Sequence, residues 1–251
     1  MNPSGTGGGN TLIAHLEELR RRLIRILTVT ALLYPAAYWC APYVIRFLVH
    51  YALPSADVQL HYFSPMEVFF TQLKLALLLA LAAAYPWNIR ELWLFLLPAL
   101  YPGERVALRW WITGASVLFF LGVAFCTALI LPMLMEFSFS FSSGELRPVL
   151  GLAAFLNLAG WLSLAFGLMF QVPVAVLLAV RFGFIGVESL RRRRPYVMIG
   201  ILISAAVLTP PDVVSQLMLA VPTWLLFEIG LLLAARLGRK AAEEDDSVRK
   251  E

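Results

Sequence analysis

Charged residues are scarce in this sequence. They make up 14% of its 251 residues, whereas 60% are hydrophobic and the mean hydropathy is +0.78. Such a composition excludes an ordinary soluble domain and predicts an integral membrane protein. The pI of about 9.3 would suit a nucleic-acid partner. However, the basic residues lie between apolar runs, where membrane orientation already accounts for them, and we predict no nucleic-acid binding.

Short motifs of common catalytic and metal sites are also missing. The sequence has no G-x-S-x-G turn, no H-E-x-x-H pair and no phosphate loop with lysine. His50 and His61 lie near Asp57, but their spacing matches no common zinc site. Cys40 and Cys126 receive no role, because buried cysteines usually behave as small hydrophobic residues. We therefore expect neither an enzyme nor a bound cofactor or metal.

Six apolar segments lie between charged or proline-rich breaks. They are approximately Leu23 to Val49, Val68 to Leu97, Val106 to Met135, Leu150 to Val180, Tyr196 to Leu208 and Val213 to Ala235. With the N-terminus in the cytoplasm, all 20 Lys and Arg residues fall on the cytoplasmic side except Arg46, Lys74 and Arg147. This pattern predicts an all-α polytopic membrane protein with six transmembrane helices and both termini cytoplasmic.

The predicted domain organisation follows from these segments. Residues 1–10 are Gly-rich, lack the pattern of a cleaved signal and are expected to form a flexible tail. Residues 11–236 are expected to form one membrane domain, in which we find no internal repeat. Residues 237–251 carry mixed charge and are expected to form a disordered cytoplasmic tail.

The last two apolar segments predict a short hairpin. The segment from Tyr196 to Leu208 would be roughly 20 Å long as a helix, against a hydrocarbon core of about 30 Å. Pro210 and Pro211 end it, and Asp212 either caps the next helix or contributes to a polar site. We expect the bilayer to thin beside such a hairpin.

A charged segment leads directly into the first apolar segment, with the sequence His15-Leu16-Glu17-Glu18-Leu19-Arg20-Arg21-Arg22-Leu23. The arginines orient the helix, but the glutamates need another explanation. In one interpretation Glu17 with Arg21 and Glu18 with Arg22 are i,i+4 ion pairs, each worth about 0.2 to 0.5 kcal/mol. In the other, a carboxylate at the membrane surface binds the guanidinium of a ligand bidentately. These residues alone leave both interpretations open.

Two polar side chains interrupt the later apolar segments. Gln171 either forms an interhelical hydrogen bond near a kink at Pro173 or lines a polar cavity. Glu228 either snorkels toward the cytoplasmic interface near Arg236 or lines the same cavity.

Several short motifs occur in the order found in one membrane protein family. They are His15 to Arg20, Ser64-Pro65, Trp93 to Phe95 with Pro98 to Tyr101 and Glu104-Arg105, Phe166-Gly167 with Pro173, Arg193 to Val197, Leu208 to Val213 with Ser215-Gln216, and Phe227 to Gly230. Together they make the chain resemble TatC, the multispanning core of the twin-arginine protein translocase, from about Leu12 to Arg236.

The resemblance implies a receptor of the bacterial cytoplasmic membrane that recognises the paired arginines of signal peptides on folded cargo. The carboxylates that it assigns to recognition are Glu18 and Glu104, with Arg20, Phe95 and Arg105 as neighbours in the same surface. It therefore favours ligand binding for Glu18, whereas Glu17 keeps the ion-pair interpretation. Transport in this family is driven by the proton motive force, without a cofactor.

The resemblance also implies partners: TatA-type and TatB-type single-helix proteins, other TatC copies and the lipid bilayer. Their expected docking surface includes the last two helices with Gln171, Glu228 and Asp212. Members of the family commonly carry glutamate where this chain has Gln171, which cannot titrate. A secondary transporter with a polar intramembrane site is the alternative, although it should contain broken helices in both halves. The stretch from Tyr85 to Glu91 is more charged than the resemblance predicts.

Overall fold

The computed structural model describes residues 7–53, 60–96, 104–140, 149–209 and 213–248. Side chains are described for Ile13 and for residues 15–53, 60–95, 109–140, 149–209 and 213–236. The chain packs as two compact units.

The first unit comprises Met1–Arg46 and Tyr62–Ser116. It contains most of helix α1 (Gly7–Ala52), helix α2 (Pro65–Leu96) and the first part of α3 (Glu104–Phe125). Ala41 of α1 packs in one buried cluster with Leu75 and Ala76 of α2. Small residues let the two backbones approach closely, as is usual between membrane helices. Tyr34 also crosses between these helices and donates its hydroxyl to the Leu73 carbonyl at 3.4 Å.

The second unit comprises Phe47–His61 and Val117–Glu251. In it α3 passes through a π-helical turn, Cys126–Ile130, into α4 (Leu131–Ser140). Five further helices follow, namely α5 (Leu152–Met169), α6 (Val172–Arg181), α7 (Val187–Arg192), α8 (Arg194–Leu208) and α9 (Val213–Val248). Two short strands, β1 (Leu60–His61) and β2 (Leu150–Gly151), pair in parallel, with Leu60 opposite Leu150.

Five helical stretches in the described part of the chain are long and apolar enough to cross a membrane. They are His15–Ala52, Pro65–Phe95, Arg109–Ser140, Leu152–Arg181 and Val213–Arg236, and Arg194–Leu208 is a shorter apolar helix. The prediction of an all-α polytopic membrane protein whose fifth apolar segment, here α8, is short is confirmed.

Helix bounds differ from the apolar segments at both ends of the chain. Helix α1 begins at Gly7, and its charged part before Leu23 is helical because it is rich in good helix formers and contains an i,i+4 ion pair. Helix α9 continues past Ala235 to Val248 through a stretch of similarly high helix propensity. The domain boundaries at 1–10, 11–236 and 237–251 stay predictions.

The fourth apolar segment is broken, at the place where the sequence predicted a kink. The backbone N–H of Gln171 donates to the Leu168 carbonyl at 3.0 Å, an i to i−3 bond that tightens the end of α5. Pro173 lies in the first turn of α6 and has no backbone N–H, so it cannot continue the hydrogen bonds of α5.

Glycines mark the close helix crossings of the second unit. A Cβ atom on Gly230 of α9 would lie 2.7 Å from Cα of Pro173 in α6. A Cβ atom on Gly167 of α5 would lie 2.6 Å from the ring of Phe119 in α3. Both distances are too short for any side chain, so two of the motifs found in the sequence are needed for packing.

Candidate functional site

The charged start of α1 forms an ion pair along the helix. Arg22 donates from Nε to Oε1 of Glu18 at 3.1 Å and from Nη2 to the same oxygen. This pair confirms one of the two predicted i,i+4 contacts. The predicted pair of Glu17 and Arg21 is wrong, because Arg21 contacts no carboxylate in the described part of the chain. Arg22 lies four residues after Glu18 and also contacts a residue of a second helix.

That second contact is with Glu91, at the end of α2. Nη1 of Arg22 donates to the Glu91 carbonyl at 3.3 Å and lies 3.7 Å from Oε2 of the same residue. Arg25 lies 3.5 Å from this oxygen, and Arg90 lies 2.8 Å from Oε1. We call Glu18, Arg22, Arg25, Arg90 and Glu91 the arginine–carboxylate cluster.

Burial differs sharply between the two carboxylates of this cluster. Glu91 is 1% exposed and Glu18 is 40% exposed. A buried carboxylate is costly unless positive charges and hydrogen bonds surround it, and three guanidinium groups do so at Glu91. Glu18 is bonded through Oε1 alone, so its Oε2 has no hydrogen-bond donor among the described residues. The exposed carboxylate is therefore the one that can accept a ligand.

Glu91 is the residue of this cluster that the sequence did not predict. It lies in the stretch from Tyr85 to Glu91 whose charge had no explanation. Acidic residues contribute little to membrane orientation, so the positive-inside count gave it no weight. A signal was nevertheless present, because Glu91 and Arg22 were predicted at the same end of neighbouring helices.

Phe95 of α2 packs against the face of α1 that carries Glu18. Its ring stacks on His15, with centroids 4.5 Å apart and ring planes at 23°. His15 precedes Glu18 by three positions, a spacing that places both on one helix face. Arg20 is exposed and lies two positions beyond Glu18, so it points to another side of α1.

The other residues that the resemblance assigns to recognition are described only in part. Glu104 and Arg105 form the start of α3, but their side chains lie outside the described residues. A groove of about 330 Å³ opens beside Glu18 and is lined by Glu17, Glu18, Arg21, Arg22 and Arg25. The carboxylate of Glu18 is open to this groove within a strongly positive surrounding.

The polar residues of the later helices have separate contacts. Glu228 of α9 accepts a hydrogen bond from Nη2 of Arg194, at the start of α8, at 2.6 Å. This contact favours the snorkelling interpretation of Glu228. Gln171 donates from Nε2 to the Gly167 carbonyl at 3.4 Å, and its shared cavity with Glu228 stays a prediction. Asp212 lies outside the described residues.

Helices α8 and α9 are also joined near their other ends. Gln216 of α9 donates from Nε2 to the Leu202 carbonyl of α8 at 3.1 Å. Together with the pair of Arg194 and Glu228, this bond fixes the two helices at two levels.

The helices and their charged ends define a polytopic α-helical membrane protein with an arginine–carboxylate cluster at one end of its first two helices. The chain belongs to the TatC family, whose family model is described as Sec-independent protein translocase protein and matches residues 14–222. The resemblance inferred from the motifs is thus confirmed.

Relatives match over most of the chain. The Sec-independent protein translocase protein TatC of Azotobacter chroococcum mcd 1 is 35% identical over 234 residues, which cover 90% of this chain and 89% of the relative. Its namesake in Escherichia coli K12 is 33% identical over 229 residues, or 89% and 87% of the two chains. A crystal structure of the twin-arginine translocase receptor TatC in DDM matches with a TM-score of 0.79 and 30% identity, covering 88% and 99%.

Proposed function

We propose that this chain is the receptor subunit of a twin-arginine translocase in the bacterial cytoplasmic membrane. It binds the twin-arginine signal peptides of folded precursor proteins and scaffolds the complex in which they cross the membrane. Membership of the TatC family and the receptor named in the similar crystal structure support this proposal. The proton motive force drives transport.

The observation that carries the proposal is the exposed carboxylate of Glu18. Its Oε2 is open to a donor at the start of a membrane helix, beside a groove of about 330 Å³. A guanidinium donates two parallel hydrogen bonds to a carboxylate, and such charged bonds are roughly twice as strong as neutral ones. Glu104, at the start of α3 in the same unit, is the proposed acceptor for the second arginine.

Three further residues complete the proposed surface. The Phe95 ring, stacked on His15, supplies an apolar wall for the residues that follow the arginines. Arg105 follows Glu104 in α3, and Arg20 lies on another side of α1 from Glu18; the positive charge of both would repel cationic segments placed out of register.

The partner surface is proposed on the later helices. TatA-type and TatB-type proteins and further TatC copies would dock against α8 and α9, with Gln171, Glu228 and Asp212 as polar contacts. Arg194 and Gln216 hold these two helices together. Gln171 can donate and accept hydrogen bonds but cannot take up a proton, so proton uptake at this position is not part of the mechanism.

The first prediction tests the two carboxylates. Glu18→Gln and Glu104→Gln should each weaken binding of a twin-arginine peptide by about 1.5 to 3 kcal/mol, because each removes one charged acceptor. Peptide affinity is measured on the detergent-solubilised protein, for both single variants and the double variant.

Glu17→Gln is the matched control, since it removes the same charge from a neighbouring position with no ion pair in the described part of the chain. We expect it to change affinity little. If the double variant binds the peptide as well as the unmodified protein does, the proposed function of Glu18 and Glu104 is wrong.

A further inference from the structure

Glu18 already carries a guanidinium in this structure, and it is an internal one. Arg22 donates two hydrogen bonds to Oε1 of Glu18. An arginine of a ligand would donate two hydrogen bonds to the same carboxylate, one to each oxygen. An incoming guanidinium that engages both oxygens of Glu18 must therefore compete with Arg22.

Arg22 also touches the group that would receive it after displacement. Its Nη1 lies 3.3 Å from the Glu91 carbonyl and 3.7 Å from Oε2 of the Glu91 carboxylate. The same oxygen has no hydrogen-bond donor within standard distance in the described part of the chain. The guanidinium of Arg22 has to approach this oxygen by roughly 0.8 Å to reach ordinary hydrogen-bond distance. The Arg22 side chain is only 15% exposed, so it does not have to enter water during the exchange.

We propose that Arg22 is an internal competitor for the Glu18 carboxylate and that Glu91 is the positioning residue that takes over Arg22 when a ligand arginine binds. The inference rests on the proposed function of Glu18. Glu91 touches no ligand and acts through Arg22 alone. The number of ion pairs stays the same, because the ligand arginine replaces Arg22 at Glu18 while Arg22 keeps its contact with Glu91 and shortens it.

The charge around Glu91 suits this role. Arg25 and Arg90 contact its carboxylate at 3.5 and 2.8 Å and remain there in both states. They balance the negative charge of Glu91 in its buried place, whereas Arg22 is shared between two carboxylates. Without Glu91, displaced Arg22 would have no counter-charge, and releasing Glu18 would cost more.

The test measures twin-arginine peptide affinity for Arg22→Gln, Glu91→Gln and the variant with both changes. Arg22→Gln should tighten binding about two- to fivefold, the equivalent of an exposed ion pair that no longer has to be broken. Glu91→Gln should weaken binding by a similar factor, since Arg22 then stays on Glu18. The double variant should bind like Arg22→Gln, because Glu91 matters only while Arg22 is present.

Two controls separate this exchange from a general effect of charge. Arg109→Gln removes one positive charge from an exposed position of α3 and should not tighten binding comparably. Measurements at about 0.3 M salt screen charges more than roughly 6 Å apart. If Arg22→Gln does not fold, Arg22→Lys replaces it, with a smaller gain because an ammonium cannot hold a carboxylate as a fork.

The outcomes distinguish this inference from the proposed function. If Glu18→Gln weakens binding but neither Arg22 variant tightens it, Arg22 does not compete and the inference is overturned. A loss of affinity in Glu91→Gln that persists fully in the double variant also overturns it, because Glu91 would then act without Arg22. If Glu18→Gln and Glu104→Gln together leave affinity unchanged, the proposed function itself fails.

Discussion

Glu91 shows how one buried carboxylate organises the charged end of two membrane helices. Three guanidinium groups from α1 and α2 surround it, and Arg90 also lies over the Trp87 ring at 5.0 Å. Removing one partner of such a cluster leaves the others unbalanced, which is more costly than the pair itself is worth. Glu18, by contrast, is 40% exposed and is bonded by a single guanidinium, that of Arg22.

A second prediction concerns the side chain of Gln171. Gln171→Leu deletes an intramembrane amide that bonds the Gly167 carbonyl at 3.4 Å. It should reduce export, because hydrogen bonds between a polar side chain and a partner helix contribute up to about 2 kcal/mol. Gln171→Glu keeps a polar group of the same length and should support export. Export of a twin-arginine precursor is the measurement.

The stability of both variants in detergent serves as the control for folding. If the leucine variant is stable and exports normally, the amide is dispensable, and partner docking at this position is wrong.

Of the two local i,i+4 contacts predicted from the sequence, the structure contains one, and the pair of Glu17 and Arg21 is not formed. The pair of Glu18 and Arg22 follows from i,i+4 spacing alone. Glu91 was missed because its counter-charges come from another helix. The partner of Glu228 was missed for the same reason, since Arg194 is distant in sequence and its direction depends on how α8 meets α9.

At the scale of elements, glycine positions decide how closely the helices of the second unit cross. Gly230 of α9 packs against Pro173 of α6, where even a Cβ atom would lie 2.7 Å from Cα of the proline. Gly230→Ala should therefore destabilise the protein by about 1 to 3 kcal/mol, the usual cost of overpacking. Unfolding in detergent measures this loss.

Gly200 of α8 provides the matched control, since no atom lies within 4 Å of a Cβ atom built there. Gly200→Ala should be neutral or stabilise the helix, because alanine is favoured over glycine by about 1 kcal/mol in helix interiors. Equal effects of the two substitutions would contradict the close crossing at Pro173.

The apolar segments and their helical type were predictable because long apolar runs admit few structures in lipid. The positions where these helices are interrupted were harder to predict. Pro173 predicted the break between α5 and α6, but nothing in the sequence from Cys126 to Ile130 indicated a π-helical turn. The short strand pair of Leu60 and Leu150 joins segments far apart in the chain, and such pairing is not encoded locally.

At the scale of the whole molecule, α8 remains the element that fits the bilayer least well. Its 15 residues reach about 22 Å, against a hydrocarbon core of about 30 Å. Tilting shortens its vertical reach further, so we expect lipid to thin beside it and water to approach from both ends. Spin labels placed from Met198 to Leu208 would measure the width of the dry zone.

The same labels along α3 provide the comparison, because the stretch Arg109–Ser140 is long enough to cross fully. A dry zone around α8 as wide as that around α3 would contradict the thinning. Helix α8 would then be an ordinary span selected for its packing.

Contact between a signal peptide and the start of α1 tests the central claim most directly. A twin-arginine peptide with a photo-crosslinking residue beside its arginines is irradiated with the detergent-solubilised protein, and the adducts are mapped by mass spectrometry. We predict adducts in the segment around Glu18 that an excess of unlabelled peptide suppresses and that a twin-lysine peptide does not form. Equal labelling by the twin-lysine peptide, or adducts confined to other helices, would contradict recognition of the arginines by Glu18.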